Sequence, residues 1–91
     1  MSFIVEYHNL VVKDDIPKLS TVWRKRVRFA IEEKLMAEPE IFGRPLRRSL
    51  KGYRKLRVGD YRIVFRIEGK TVKIFAIQHR SIVYRTIGRR Q

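Results

Sequence analysis

Cysteine is absent from this sequence, which excludes a disulfide framework, a thiolate zinc site and cysteine-based catalysis. Only His8 and His79 remain as soft metal ligands, and two are too few to close a metal site. No apolar run approaches the roughly 18 residues of a membrane span, and the N-terminus has no signal-peptide pattern. We therefore expect a small cytoplasmic protein with no membrane span and with no metal or small-molecule cofactor.

Acidic residues are scarce: 9 Asp and Glu stand against 22 Lys and Arg, which gives a formal net charge of +13 on 91 residues. Hydrophobic residues still make up 44% of the chain, so it can bury a core and is not a disordered basic tail. One domain spanning residues 1–91 is predicted. Its charge favours an anionic partner: nucleic acid, an anionic membrane surface or an acidic protein.

The first half of the chain predicts one strand and two helical segments. Residues 3–7 are rich in β-formers, and Asn9 is positioned to cap a helical turn that ends at Pro17. Ser20 is the predicted N-cap of a longer helix over about residues 21–37, whose apolar residues recur at helical spacing.

The second half predicts a meander of three strands, at residues 53–58, 61–68 and 71–79. Gly59 and Gly69 each open a two-residue connection, which is typical of a type II′ hairpin turn. The expected fold is α+β: a small, mostly antiparallel four-stranded sheet with an N-terminal helical pair packed on one face.

The two hairpins fix the register and sort the side chains onto two faces. The face under the helical pair is predicted to hold Leu56, Val58, Tyr61, Ile63, Phe65, Ile67, Val72, Ile74 and Ala76. The opposite face is predicted to hold Tyr53, Lys55, Arg57, Arg62, Val64, Arg66, Lys73, Phe75, Ile77 and His79. Cations mixed with aromatic rings are typical of an RNA-binding surface, and a solvated polar face is the alternative. Like charges on adjoining strands cost stability, which favours a bound anion.

Two segments of the sequence resemble the RelE/ParE toxin superfamily: LKGYRKLRVGDYRIVF at residues 50–65 and IQHRSIVY at residues 77–84. The resemblance extends to EEKL at residues 32–35 and to the loop at residues 42–46. It implies the toxin of a type II toxin–antitoxin pair, with an acidic cognate antitoxin as partner. For RelE-type members it also implies mRNA on the ribosome as substrate and inhibition of translation as the outcome.

RelE-type members are metal-independent mRNA endonucleases (mRNA interferases) in which the ribose 2′-OH attacks the adjacent phosphate. This chemistry needs a base, an acid and cations that stabilise the phosphorane. The resemblance assigns Arg62, Arg80 and Tyr84 to catalytic positions. His79 is the predicted acid or base, because surrounding cations favour a neutral imidazole. The RNA-binding candidates are Lys51, Tyr53, Arg54, Lys55, Arg57 and Arg66.

Strict alternation along the last strand would direct Arg80 to the covered face, away from His79. We therefore expect the strand to end or bulge near His79. Two other functions stay open: a ParE-like inhibitor of DNA gyrase without nuclease chemistry, and an inactive module that only binds antitoxin. The HRxxVY ending at residues 79–84 favours the nuclease over the gyrase inhibitor.

Overall fold

A computed structural model describes residues 2–90, and their strands form one mixed sheet. The strands are β1 (Ile4–Tyr7), β2 (Arg44–Pro45), β3 (Arg54–Val58), β4 (Tyr61–Glu68) and β5 (Thr71–His79). Their order is β1-β5-β4-β3-β2, with β1 parallel to β5 and the other neighbours antiparallel. The α+β class is confirmed. The sheet has five strands instead of four, because two loop residues pair with β3 as β2, and a stretch this short has no strand pattern in the sequence.

The helices lie on both sides of the sheet. They are α1 (Ile16–Lys18), preceded by the π-helical segment Val11–Asp15; α2 (Thr21–Ala30), continued by the π-helical segment Ile31–Leu35; α3 (Pro39–Phe42); and α4 (Val83–Arg90). A short 3₁₀ turn covers Arg48–Leu50. None of the helices within residues 2–90 has the length and apolar character to cross a membrane.

Residues 11–18 and 21–35, here called the helical hairpin, cover one face of the sheet. The Ser20 hydroxyl accepts a hydrogen bond from the Trp23 backbone N–H at 3.3 Å, so the predicted N-cap is confirmed. Val27, Ile31 and Leu35 are buried in a cluster that also contains the apolar residues of β3, β4 and β5. The predicted apolar stripe of the long helix therefore forms the main core.

A β-bulge in β5 changes the predicted faces beyond residue 74. The register at both hairpin turns is confirmed, but Val64 pairs with Ala76 while its neighbour Phe65 pairs with Ile74. One extra residue reverses the alternation that follows it. Ala76, Ile77 and His79 accordingly change faces. Ile77 joins the core under the helical hairpin, whereas Ala76 lies on the opposite side. His79 was predicted beside Arg62 on the cationic face, but it pairs with Tyr61 on the helical-hairpin side.

The opposite face is itself partly covered, by α4. A second buried cluster consists of Tyr53, Val64, Ala76, Val83 and Ile87. The expectation of one covered face and one open face is therefore wrong for the middle of the sheet. Sequence analysis missed α4 because its apolar stripe is only two residues long, at the i, i+4 positions 83 and 87, in a helix that also contains three arginines.

The glycine at the β3–β4 turn supports a stability prediction with a matched control. Gly59 has φ +58°, and a Cβ there would lie 2.5 Å from the Trp23 ring; Gly69 has φ +61° and open space around it. Gly59→Ala should lower the free energy of unfolding by about 2–4 kcal/mol through backbone strain and overpacking. Gly69→Ala should cost about 1–2 kcal/mol from strain alone. Urea unfolding measures both values, and equal losses would contradict a role for the Trp23 contact.

Candidate active site

A cleft of about 520 Å³ lies where β5 ends. Its lining residues are Lys55, Arg62, His79, Arg80, Ser81 and Tyr84. The four residues predicted to be catalytic therefore lie together, with one of the predicted RNA-binding lysines. None of these six lining residues is acidic, so the cleft favours an anion.

The end of β5 brings Arg80 into this cleft. The strand stops at His79, as expected, and the chain turns over residues 80–82 before α4 begins. The Arg80 backbone N–H donates to the Asp60 carbonyl oxygen at 2.9 Å, which fixes this turn against the β3–β4 turn. The Arg80 guanidinium lies 3.8 Å from the Asp60 carboxylate, but both side chains are more than 60% exposed. Such a surface pair is weak, so a phosphate can compete for Arg80.

Arg62 is held at one end of its side chain. Its Nη1 donates to the carbonyl oxygens of Gly59 and Tyr61, both at 2.9 Å. A guanidinium has five N–H donors, so the others remain available to an anion. Arg57 lies directly opposite Arg62 in the β3–β4 ladder and is exposed. The like-charged neighbours predicted from the sequence are therefore present.

His79 is restrained by its own turn and by an aromatic neighbour. Its Nδ1 lies 2.8 Å from the Ser81 hydroxyl and accepts the Ser81 backbone N–H at 3.2 Å. The Tyr61 ring meets the imidazole edge to face, with centroids 5.8 Å apart. Ser81 is a cleft residue that sequence analysis missed, although its position two residues after His79 suits a side chain-to-backbone turn.

Tyr84 enters the cleft from the first turn of α4. The Lys55 ammonium lies 5.9 Å from the centroid of the Tyr84 ring, within cation–π distance. Because α4 packs on the sheet through Val83 and Ile87, the position of Tyr84 depends on a helix that the sequence did not predict.

Five of the six predicted RNA-binding residues lie outside the cleft, and three of these five have partners within the protein. Tyr53 is only 6% exposed and meets Phe75 edge to face, so its ring is part of the second cluster. Arg66 lies over that ring, 5.4 Å from its centroid. Arg54 lies on the face of the sheet that the helical hairpin covers, opposite Phe65. Its Nη1 donates to the carbonyl oxygens of Gly43 and Glu40.

The remaining candidates, Lys51 and Arg57, are exposed but do not line the cleft. Within residues 2–90, no group of three or more His, Cys, Asp or Glu side chains is arranged to hold a metal ion.

A separate groove of about 480 Å³ lies between the helical hairpin and β1. It is lined mainly by apolar side chains, together with the cations Arg24, Lys25 and Arg28. Burial raises the pKa of the Tyr7 phenol in this groove, Glu32 raises it further, and Arg28 opposes them.

The fold matches that of small bacterial and archaeal toxins. The solved complex of toxin and antitoxin RelBE2 from Mycobacterium tuberculosis superposes with a TM-score of 0.80 and 32% identity, over 88% of this chain and 100% of that chain. The RelB–RelE complex from Methanococcus jannaschii gives a TM-score of 0.68 at 24% identity, over 88% and 95% of the two chains. A free double arginine-to-alanine mutant of toxin RelE from E. coli gives a TM-score of 0.71 at 18% identity, over 98% of each chain. The last two show the fold alone.

Sequence comparison identifies the family. The model described as the ParE toxin of the type II toxin–antitoxin system parDE matches residues 7–84, so the chain belongs to this toxin family. Toxin RelG from Mycobacterium tuberculosis (strain ATCC 25618 / H37Rv) is 43% identical over 61 residues, which are 65% of this chain and 69% of RelG. Toxin RelE from the same strain is 42% identical over 53 residues, 56% of this chain and 55% of that toxin.

Proposed function

We propose that this toxin is a ribosome-dependent mRNA endonuclease and that the cleft at the end of β5 is its active site. The observation that carries this proposal is the lining of the cleft, where three cations surround an imidazole and a phenol without an acidic side chain among them. Cations placed around a phosphate stabilise the charge that develops when a phosphodiester is attacked. The identity to the toxins RelG and RelE supports the same reaction class.

The proposed reaction is an internal transfer in the mRNA strand. The ribose 2′-oxygen bonds to the adjacent phosphorus, the bond to the 5′-oxygen of the next nucleotide breaks, and a 2′,3′-cyclic phosphate and a 5′-hydroxyl result. Water accepts the proton of the 2′-hydroxyl and supplies a proton to the leaving 5′-oxygen, so that no proton is gained or lost overall. Arg62 suits stabilisation of the phosphorane because it is always charged and offers several donors. Lys55 and Arg80 orient the strand, and Tyr84 stacks on a neighbouring base.

The chemistry of the product ends tests this proposal. Purified protein is incubated with programmed ribosomes and a labelled message, with the same message without ribosomes as control. We expect cleavage at a fixed position in the codon, 2′,3′-cyclic phosphate ends, and no cleavage of a message with a 2′-deoxy nucleotide at that position. Intact message, from protein that still binds its antitoxin, would overturn the proposal.

The salt dependence of binding tests the docking surface. Each phosphate contact releases counterions, so the logarithm of the association constant for ribosomes should fall steeply with the logarithm of salt concentration. Lys55→Ala and Arg57→Ala should each reduce the magnitude of this slope by about one, while thermal stability stays unchanged or rises slightly. Lys13→Ala, an exposed cation in the helical hairpin, is the matched control and should change the slope less. Binding that does not depend on salt would contradict a role for the basic face.

An acidic antitoxin is the proposed protein partner. The charge of +13 is complementary to it, and similar structures are RelB–RelE complexes. A small acidic protein encoded beside this chain should copurify with it and block its toxicity. Failure of such a protein to bind would remove this part of the proposal.

A ParE-like inhibitor of DNA gyrase is the second candidate function, favoured by the family model that matches residues 7–84. A supercoiling assay with purified gyrase separates the two functions. Inhibition of supercoiling or DNA breaks, with mRNA untouched on ribosomes, would favour the gyrase inhibitor. Normal growth of cells that produce this chain alone would indicate an inactive antitoxin-binding module.

A further inference from the structure

The imidazole of His79 is held through one nitrogen by a residue two positions further along the chain. The Ser81 backbone N–H donates to Nδ1 at 3.2 Å, and the Ser81 hydroxyl lies 2.8 Å from the same nitrogen. A backbone N–H can only donate, so Nδ1 carries a lone pair in this arrangement. The hydrogen bond at one ring nitrogen determines the protonation of the other. The neutral ring therefore has its proton on Nε2.

Aromatic neighbours and the Ser81 contacts together define the position of the imidazole. Tyr61 pairs with His79 across the β4–β5 ladder, and their rings meet at an interplanar angle of 80°. Tyr61 is packed in turn against Trp23, with ring centroids 4.7 Å apart. A flip of the imidazole would place a ring carbon where Ser81 now meets Nδ1, so both Ser81 contacts would be lost.

We propose that Ser81 is a positioning residue that keeps the neutral His79 ring in its Nε2–H tautomer, so that His79 donates a hydrogen bond to the reacting phosphate through Nε2–H and transfers no proton. The inference rests on the proposed nuclease function and defines the part of His79 in it. Within residues 2–90, Nε2 has no protein hydrogen-bond partner, so it is available to a ligand in the cleft that His79 lines.

Proton transfer through Nε2 is disfavoured in both directions. A base needs a lone pair on Nε2, which the Nε2–H tautomer lacks. To act as an acid, the imidazolium of His79 would give up its Nε2 proton and keep the proton on Nδ1. That Nδ1–H would then face the Ser81 backbone N–H, and two donors cannot form a hydrogen bond with each other. A neutral imidazole that only donates a hydrogen bond can still polarise a substrate oxygen. In this proposal an electrostatic role takes the place of the acid–base role expected from the sequence.

Nitrogen NMR of the imidazoles tests the tautomer without any activity measurement. The chain has two histidines, and His8 is an internal reference because the Leu10 backbone N–H donates to its Nδ1 at 3.1 Å. In ¹⁵N-labelled protein under conditions where the ring is neutral, both histidines should show an unprotonated Nδ1 and a protonated Nε2. A protonated Nδ1 on neutral His79 would overturn the proposal.

Two substitutions of His79 test whether it donates a hydrogen bond or transfers a proton. The amide of Gln offers an N–H donor but cannot carry a proton, and Ala offers neither. The single-turnover cleavage rate of His79→Gln should stay within about tenfold of the native protein, whereas His79→Ala should fall about 10²–10³-fold, as for the loss of one preorganised donor. Equal losses in the two variants would overturn the proposal. His8→Gln is the matched control and should cleave at the native rate.

Substitutions of Ser81 test the positioning role. Ser81→Ala keeps the backbone N–H and removes the hydroxyl, so the cleavage rate should fall about fivefold, the effect of one hydrogen bond, with KM unchanged. Ser81→Thr restores the hydroxyl and should restore the rate; failure to do so would contradict the role of Ser81. If the native protein fails to cleave while NMR finds Nε2–H, the nuclease function is overturned and the tautomer assignment stands.

Discussion

Arg62→Ala should lower the single-turnover rate of mRNA cleavage on programmed ribosomes by about 10²–10³-fold, the range for loss of one preorganised electrostatic donor. Arg62 lies in the cleft with its Nη1 tied to the carbonyl oxygens of Gly59 and Tyr61. These two bonds fix the direction of the guanidinium before RNA binds. A group that is already oriented pays little reorganisation energy when the phosphorane forms.

Arg62→Lys separates charge from geometry in this prediction. Lysine keeps the positive charge but has no planar fork of donors, so it should recover only part of the lost rate. Thermal unfolding of both variants checks that the β3–β4 turn survives loss of the Nη1 bonds. A folded Arg62→Ala protein that cleaves at the native rate would exclude Arg62 from the chemistry.

Asp15→Ala should lower the free energy of unfolding by about 3–5 kcal/mol, because it removes one partner of a buried ion pair. The Asp15 carboxylate forms a bidentate pair with Arg90 at 2.8 and 3.0 Å, and the two side chains are 1% and 7% exposed. It also accepts the Ile77 backbone N–H at 2.9 Å and the Gln78 amide at 3.0 Å. Loss of the carboxylate leaves these donors and the Arg90 charge without their partner.

Asp15 connects the helical hairpin to α4 across the edge of the sheet. The ladder of β1 with β5 ends at the pair of Tyr7 with Ile74, and beyond that point Asp15 and Arg90 bind the backbone of β5 at Ile77 and Phe75. Hydrogen exchange at the Ile77 amide should therefore accelerate strongly in Asp15→Ala.

Asp14→Ala is the matched control for this stability prediction. Asp14 is the exposed preceding residue, so its loss should change the free energy of unfolding by less than about 0.5 kcal/mol. Urea denaturation of both variants gives the comparison. A loss below about 1 kcal/mol in Asp15→Ala would show that the pair contributes little net stability, as some buried ion pairs do.

The local elements of the fold could be predicted because their causes are local. Ser20 caps the long helix through a hydrogen bond three residues away. Gly59 and Gly69 have the positive φ of type II′ turns, while the residues that follow them do not. These turns fixed the register of both hairpins correctly.

The cleft was predicted in part. Lys55, Arg62, His79, Arg80 and Tyr84 lie together as expected, since the first two follow from hairpin register and the others from one short segment. Tyr53 and Arg54 were also predicted to lie beside these residues. Burial under α4 and hydrogen bonds to loop carbonyls remove these two side chains from the cleft.

The sequence by itself determined the charge, the hairpins, the apolar stripe of the helical hairpin and the toxin superfamily, because each depends on composition or on residues close together in the chain. The tertiary structure alone decided the bulge at Phe75, the docking of α4 and the Asp15–Arg90 pair. The last joins residues 75 positions apart. Long-range packing and the satisfaction of buried polar groups select such features, and no local pattern in the sequence records them.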